Sequence, residues 1–183
     1  MLFNEFVNGK ALIEKAKEFA TECHKKQTRK FSGEPYIVHP EAVASLVQQY
    51  GGTPEMIAVG WLHDVKEDCG VKSLKDEFGE KVDSLVDELT NPENINRGGN
   101  KAEYIAKKMT TMSSDALTIK LCDRLNNVSD FKTSKPSFVQ KYAPATRLIL
   151  NELEDSGRPL DVQQTKLVAE IDKAITPYEN PKQ

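Results

Sequence analysis

Four side chains of the kinds that bind transition metals stand at three separated places: His39, the adjacent pair His63-Asp64, and Asp123. Two imidazoles and two carboxylates form a mixed nitrogen–oxygen donor set. Such a set suits Mn²⁺, Fe²⁺ or Zn²⁺ better than Mg²⁺ or Ca²⁺, which favour all-oxygen shells. Four protein ligands on an octahedral ion leave two positions for water and substrate. Directly after His63-Asp64 come Val65-Lys66-Glu67-Asp68, so one short stretch carries an imidazole and three carboxylates. On a continuous helix His63 would share a face with Glu67, and so would Asp64. Carboxylates crowded in this way resist ionising unless a positive charge sits among them, and a divalent cation is the natural candidate. A solvated acidic face is the alternative, and spacing alone does not choose between the two. Taken singly, His39 could be a helix-start residue packed by Pro40, and Asp123-Arg124 a plain surface ion pair. His24 with Lys25-Lys26 reads as a solvated face, and Trp61 as core.

The elements that must position these residues are helical. Ala11, Leu12, Ala16, Phe19, Ala20 and Cys23 fall near helical spacing, so a helix is expected over Ala11 to Cys23. A basic, turn-rich segment from Lys25 to Tyr36 breaks it. Pro40 can open the next helix, with Val43, Leu46 and Val47 inward, and Gly51-Gly52 can end it. Thr53-Pro54 has the form of a helix start, and Gly70 of a stop after the acidic stretch. Ser73-Leu74-Lys75-Asp76 has the shape of a capping box. Asn91 to Asn100 reads as a polar loop, a lid over the pocket or merely a loose connection. Ser113-Ser114-Asp115 caps the helix that carries Asp123. Pro136 and Pro144 punctuate the region after it. Asp161 can cap a last helix, and Thr176 to Gln183 reads as a polar tail. Hardly any segment alternates with period two. The expectation is an all-α single domain over 1–183, of eight to ten helices.

Composition bounds the rest. The 183 residues suffice for one domain with its own core. A net charge of −3 argues against broad electrostatic binding to nucleic acid, so an anionic ligand needs a metal or a local basic cluster. Lys25, Lys26, Arg29 and Lys30 form the densest such cluster. The three cysteines, Cys23, Cys69 and Cys122, match no disulfide or zinc framework, and a reducing compartment is expected. The N-terminus has no signal-peptide pattern, and the chain has no membrane-spanning run, so cytoplasm is the default. The oligomeric state is not read from the sequence.

The stretch Arg29-Lys30-Phe31-Ser32-Gly33-Glu34-Pro35-Tyr36-Ile37-Val38-His39-Pro40 resembles the opening motif of the HD-domain alarmone hydrolases, the RelA/SpoT-type (p)ppGpp 3′-pyrophosphohydrolases. His63-Asp64-Val65-Lys66-Glu67-Asp68 resembles that family's signature His-Asp with its trailing Glu-Asp. Lys120-Leu121-Cys122-Asp123-Arg124-Leu125-Asn126-Asn127 resembles its third motif. The resemblance spans about residues 10 to 150 and implies the all-α HD-superfamily bundle. It implies one metal, usually Mn²⁺, bound by His39, His63, Asp64 and Asp123. It also implies Glu67 and Asp68 as the pair that activates or orients the attacking water. Arg29 and Lys30 would contact substrate phosphates or base, with Arg124 and Asn127 also in the pocket. The substrate it implies is a small nucleotide with a 3′-pyrophosphate. Because the chain ends at Gln183, without room for a synthetase domain, it resembles the stand-alone small members.

Two positions depart from the family pattern. Lys66 stands where an apolar residue is usual, and could lower the pKa of Glu67 or Asp68 by proximity. Asn126 stands where His or an aromatic is frequent, and could alter nucleotide choice. Three functional readings remain in competition: a (p)ppGpp 3′-pyrophosphohydrolase; the same fold and metal acting on (p)ppApp or the 2′-phosphate of NADPH; and an inactive HD module that binds a nucleotide and regulates a partner.

Overall fold

The structure, a computed structural model, describes the backbone of residues 3–29, 33–97 and 100–179 and the side chains of 7–29, 33–95 and 100–179. Lys30, expected at the substrate, lies outside the described residues. Among the described residues there are eleven α-helices and no strand, only an isolated bridge between Thr28 and Pro35. Contacts cluster into two compact units, Met1–Thr90 and Asn91–Gln183.

The first unit holds α1 (Phe3–His24), α2 (Val38–Gln49), α3 (Pro54–Leu62), α4 (Val65–Cys69), α5 (Lys75–Phe78) and α6 (Glu80–Leu89). Its centre is α3, in which every residue from Met56 to Leu62 is buried. A helix apolar all round must be covered on all sides, and α1, α2 and α6 do so. Burial of each large side chain here stabilises by roughly 1.5–3 kcal/mol. The start of α3 is as the sequence implies: the Thr53 hydroxyl accepts the Met56 amide, and Pro54 occupies the first turn. Gly60 sits where α3 crosses α2: a Cβ there would lie 2.7 Å from Ala44 Cα and 3.0 Å from Ala44 N. Gly70 ends α4 at φ 70°, a conformation glycine adopts without strain.

The second unit holds α7 (Glu93–Arg97), α8 (Lys101–Thr111), α9 (Ser114–Ser129), a 3₁₀ turn (Asp130–Lys132), α10 (Pro136–Asp155), α11 (Val162–Ile175) and a final 3₁₀ turn (Thr176–Tyr178). α9 lies against α11 and α8 against α10. Polar groups tie these helices at depth. The Gln164 amide donates to the Ser114 carbonyl (3.0 Å) and the Thr118 hydroxyl (3.1 Å). Arg158 donates to the Met109 carbonyl near the end of α8 (3.0 Å). Asp161 and Gln164 form a full capping box at the start of α11.

Several boundaries differ from the sequence reading. α1 begins at Phe3 rather than Ala11. α10 continues through Pro144, because the inward residues Val139, Ala143, Thr146, Ile149, Leu150 and Leu153 bind both halves of one face to the core. Part of the Asn91 to Asn100 stretch is helical, as α7. Ser73 accepts the Lys75 amide (3.2 Å) but donates to Asp83 (3.2 Å), so no capping box forms. The start of the expected tail is docked: Arg147 clasps Glu179 (2.5 and 3.1 Å) and pairs with Asp172 (2.6 Å), while Tyr178 stacks edge-on against Phe131. The largest correction concerns cysteine: Cys23 and Cys69, whose spacing implied no pairing, form a disulfide.

Candidate metal centre and active site

His39 lies in the first turn of α2, and His63-Asp64 forms the break between α3 and α4. The sequence reading put His63, Asp64 and Glu67 on one continuous helix, whereas the helix stops at Leu62 and restarts at Val65. The His63 ring shows why. Its Nδ1 lies 2.9 Å from the Gly60 carbonyl, the acceptor that an uninterrupted helix would offer to the Asp64 amide. A carbonyl only accepts, so Nδ1 carries the proton and Nε2 presents its lone pair.

That lone pair faces a carboxylate. His63 Nε2 is 3.1 Å from Asp64 Oδ2, and His39 Nε2 is 3.8 Å from the same oxygen. The His39 and His63 rings meet edge to face, centroids 5.1 Å apart, and their ligand nitrogens lie within 4.8 Å of one another. Both imidazoles are nearly fully buried, at 4% and 3% exposure. Two nitrogen donors and a carboxylate oxygen converging in a buried place are favourable only with a positive charge among them. The backbone hydrogen bond that fixes the His63 tautomer is the usual support of a metal-bound imidazole. The residues present therefore fit a divalent metal.

Tyr36, which sequence reasoning did not single out, completes this constellation. Its hydroxyl donates to Asp64 Oδ2 at 2.5 Å, and its ring contacts those of His24 (4.9 Å) and His39 (5.8 Å). Its place in the opening motif was the available signal. His24 is correspondingly not part of a solvated face: it is 1% exposed. Lys25 and Lys26 are exposed, as expected.

Glu67 and Asp68 follow on α4, directly beyond the donor cluster in the chain. Asp68 is open to solvent on one side, yet partial desolvation by the surrounding protein, reinforced by the Asp64 carboxylate, raises its pKa. Lys66 does not oppose that shift. Its ammonium turns to α6 and bonds Asp83 and Asp87, each at 2.6 Å, and it is the Asp83 carboxyl that it helps hold below the ordinary range against partial burial. The proposed influence of Lys66 on the acidic pair is thus replaced by an anchor for α4. Asp83 is lowered below its ordinary 3.8 and Lys66 raised above 10.5, so the pair stabilises between about pH 4 and 10 and fails on either side. Lys66→Met is expected to cost about 1–3 kcal/mol at pH 7. In urea melts the difference from the parent should close below the carboxylate range, while the pH–rate profile keeps its shape.

In the second unit Asp123 is held by its own helix: Lys120 Nζ is 2.9 Å from Oδ2, and the Asn127 amide donates to Oδ1 (2.7 Å) and to the main-chain carbonyl (3.0 Å). Asn127, expected at the substrate, is thus engaged with the carboxylate one turn before it. Arg124, also expected there, is 3% exposed, donates to the Thr146 hydroxyl (3.2 Å) and lies 4.7 Å above the Tyr142 ring. Arg29 is half-buried in the turn before α2, where its amide donates to the Glu34 carbonyl (2.8 Å).

The profile of the HD domain matches residues 16–155, and the chain belongs to that family. Among curated relatives, a probable guanosine-3′,5′-bis(diphosphate) 3′-pyrophosphohydrolase of Synechocystis is 38% identical over 149 residues, covering 78% of this chain and 20% of the relative. An enzyme of Aquifex aeolicus, named guanosine-3′,5′-bis(diphosphate) 3′-pyrophosphohydrolase, is 39% identical over 160 residues, covering 78% and 23%. A GTP pyrophosphokinase of Streptomyces antibioticus is 38% identical over 161 residues, covering 78% and 19%. The chain thus spans about a fifth of the length of these relatives. In fold it is similar to a solved structure described as a metazoan ortholog of SpoT that hydrolyses ppGpp, with TM-score 0.77, 21% identity, and coverage of 89% of this chain and 94% of that one. That agreement bears out the all-α HD architecture. No helix among the described residues is long and apolar enough to cross a membrane.

Proposed function

We propose that this chain is a metal-dependent hydrolase that removes the 3′-pyrophosphate of (p)ppGpp, releasing pyrophosphate and GDP or GTP. The observation that carries the reading is the convergence of His39, His63 and Asp64 donor atoms just before Glu67-Asp68. The names of the relatives supply the substrate class.

His39, His63 and Asp64 are the proposed ligands, with Asp123 as the fourth on the strength of its motif, and Mn²⁺ as the ion. A divalent cation there supplies Lewis acidity to a phosphoryl oxygen and to the attacking water. The chain's own residues do the rest. Tyr36 holds the Asp64 carboxylate in place by its hydroxyl. Glu67 accepts the water's proton, and Asp68, its pKa raised, orients that water or shares the proton. Arg29 and Lys30 neutralise the substrate's phosphates. Asn127 and Lys120 fix the Asp123 carboxylate. Arg124 is assigned to holding α9 on α10 through Tyr142 and Thr146, and we do not count it among the substrate contacts. The family match, residues 16–155, runs across residue 90, which supports treating 1–183 as one hydrolase domain; its proposed compartment, the cytoplasm, rests on the sequence reading alone.

The test is a substrate panel with purified protein and Mn²⁺. Pyrophosphate release from ppGpp, outpacing ppApp and NADPH, is expected. Preferential turnover of ppApp, or orthophosphate release from NADPH, would transfer the reading to those substrates. Nucleotide binding without turnover of any would make the chain a regulatory module instead.

A further inference from the structure

Cys23 and Cys69 join the C-terminal end of α1 to the last residue of α4, and Cys69 directly follows Asp68. α4 is only five residues long, too short to hold its shape without tertiary anchors. Its first turn has two: Val65 is fully buried, and Lys66 bonds Asp83 and Asp87. Its last turn is held by the disulfide and by the Gln27 side chain, whose amide donates to the Asp68 carbonyl at 3.3 Å. The covalent link is thus the strongest restraint on the end of α4 that carries Glu67 and Asp68.

We propose that Cys23 and Cys69 are a reversible thiol–disulfide pair whose closed form fixes the Glu67-Asp68 end of α4, so that hydrolysis responds to thiol redox state. The inference rests on the hydrolase reading above for its effect on turnover, but not for its effect on α4. Both cysteines are half-buried residues rather than core ones. Cys122 is fully buried, so it stays out of the exchange. Disulfides in reducing compartments are characteristically transient and regulatory, which fits a pair beside an active site.

The chemistry balances with an oxidised low-molecular-weight thiol, RSSR. One cysteine thiolate attacks it, forming a mixed disulfide and expelling RS⁻. The second thiolate attacks the protein sulfur of that mixed disulfide and expels the other RS⁻. Two protein thiols and RSSR become one protein disulfide and two RSH, the thiol protons passing to the leaving thiolates. A dithiol reverses both steps.

The same side chains could be read as a soft-metal site, since ligand atoms of Cys23, His24 and Cys69 lie within 4.8 Å of one another. The His24 ring argues otherwise. Its Nδ1, 3.8 Å from Cys69 Sγ, is 2.8 Å from Gln27 Oε1. That oxygen only accepts, so the nitrogen beside the sulfur carries the proton and offers no lone pair.

The experiment compares the whole protein oxidised with glutathione disulfide and reduced with dithiothreitol, beside Cys23→Ser. In denaturant, the oxidised protein should show one maleimide-reactive thiol and the reduced protein three, matching Cys122 alone and all three cysteines. With ppGpp and Mn²⁺, kcat should fall roughly 5–10-fold on reduction while KM and Mn²⁺ affinity hold, because positioning and not binding is lost. Cys23→Ser should behave as the reduced protein under both conditions. Hydrogen exchange at residues 65–70 should quicken on reduction. Equal kcat and equal exchange in the two forms overturn the proposal, as does stoichiometric Zn²⁺ bound by the reduced pair. Should neither form hydrolyse ppGpp, the substrate reading fails, and the exchange at 65–70 alone decides whether the disulfide restrains α4.

Discussion

His63→Ala is expected to abolish hydrolysis and metal binding together while leaving the helices folded. The imidazole makes two separable contributions. Nδ1 satisfies the Gly60 carbonyl at the end of α3, and Nε2 points at the oxygen shared with Tyr36 and His39. Loss of the first costs about 1–3 kcal/mol, the usual range for a buried hydrogen-bonded group. Loss of the second leaves one imidazole and one carboxylate of the first unit for the ion, and affinity should fall by roughly a thousandfold or more. Thermal melts separate the two. At a Mn²⁺ concentration about 100 times its dissociation constant, the parent gains about 2.7 kcal/mol. For a chain of this size that raises Tm by roughly 5–10 °C. The variant should melt somewhat lower than the parent without metal, and its Tm should not move when Mn²⁺ is added. A full Mn²⁺ shift in the variant would remove His63 from the ligand set.

The all-α architecture was legible because apolar residues recur with helical period, and because caps such as Thr53 and Asp161 mark helix starts in local terms. The donor residues were legible as types, and the motif resemblance grouped them. What escaped was governed by contacts distant in sequence. Tyr36 belongs to the site only because its hydroxyl reaches Asp64, and Lys66 leaves its acidic neighbours only because α6 offers two carboxylates. The break at His63-Asp64 depends on a side chain taking a backbone acceptor, which helical periodicity does not register. Pairing of Cys23 with Cys69 depends on the packing of α1 against α4, which cysteine spacing cannot express. Arg124 matched its motif by type, yet its burial against Tyr142 comes from α10.

The crossing of α2 and α3 carries the second large expectation, for Gly60→Ala. His39 rides on α2 and His63 on the end of α3, so their separation is set where the two helices touch. At Gly60 the touch is backbone to backbone: an added Cβ would meet Ala44 Cα at 2.7 Å and Ala44 N at 3.0 Å, with no flexible side chain to yield. The helices must part by a few tenths of an ångström or more. Alanine's helix propensity returns about 1 kcal/mol, but overpacking at a buried contact costs about 1–3 kcal/mol and at times more. The net loss of stability should be about 0–2 kcal/mol. The functional loss should be larger, because the Gly60 carbonyl also holds His63 Nδ1, so the displacement is transmitted straight to a proposed ligand. Metal affinity is expected to fall about 10–100-fold, the range seen when a ligand's support is disturbed. Gly51→Ala is the comparison: Gly51 has φ 78° and an added Cβ there would meet nothing within 4 Å, so its strain destabilises without moving either helix. Equal losses of stability in the two variants, with metal binding weakened only in Gly60→Ala, would place the effect at the helix crossing. Equal metal affinities in both would show that the spacing of α2 and α3 does not set the ligand geometry.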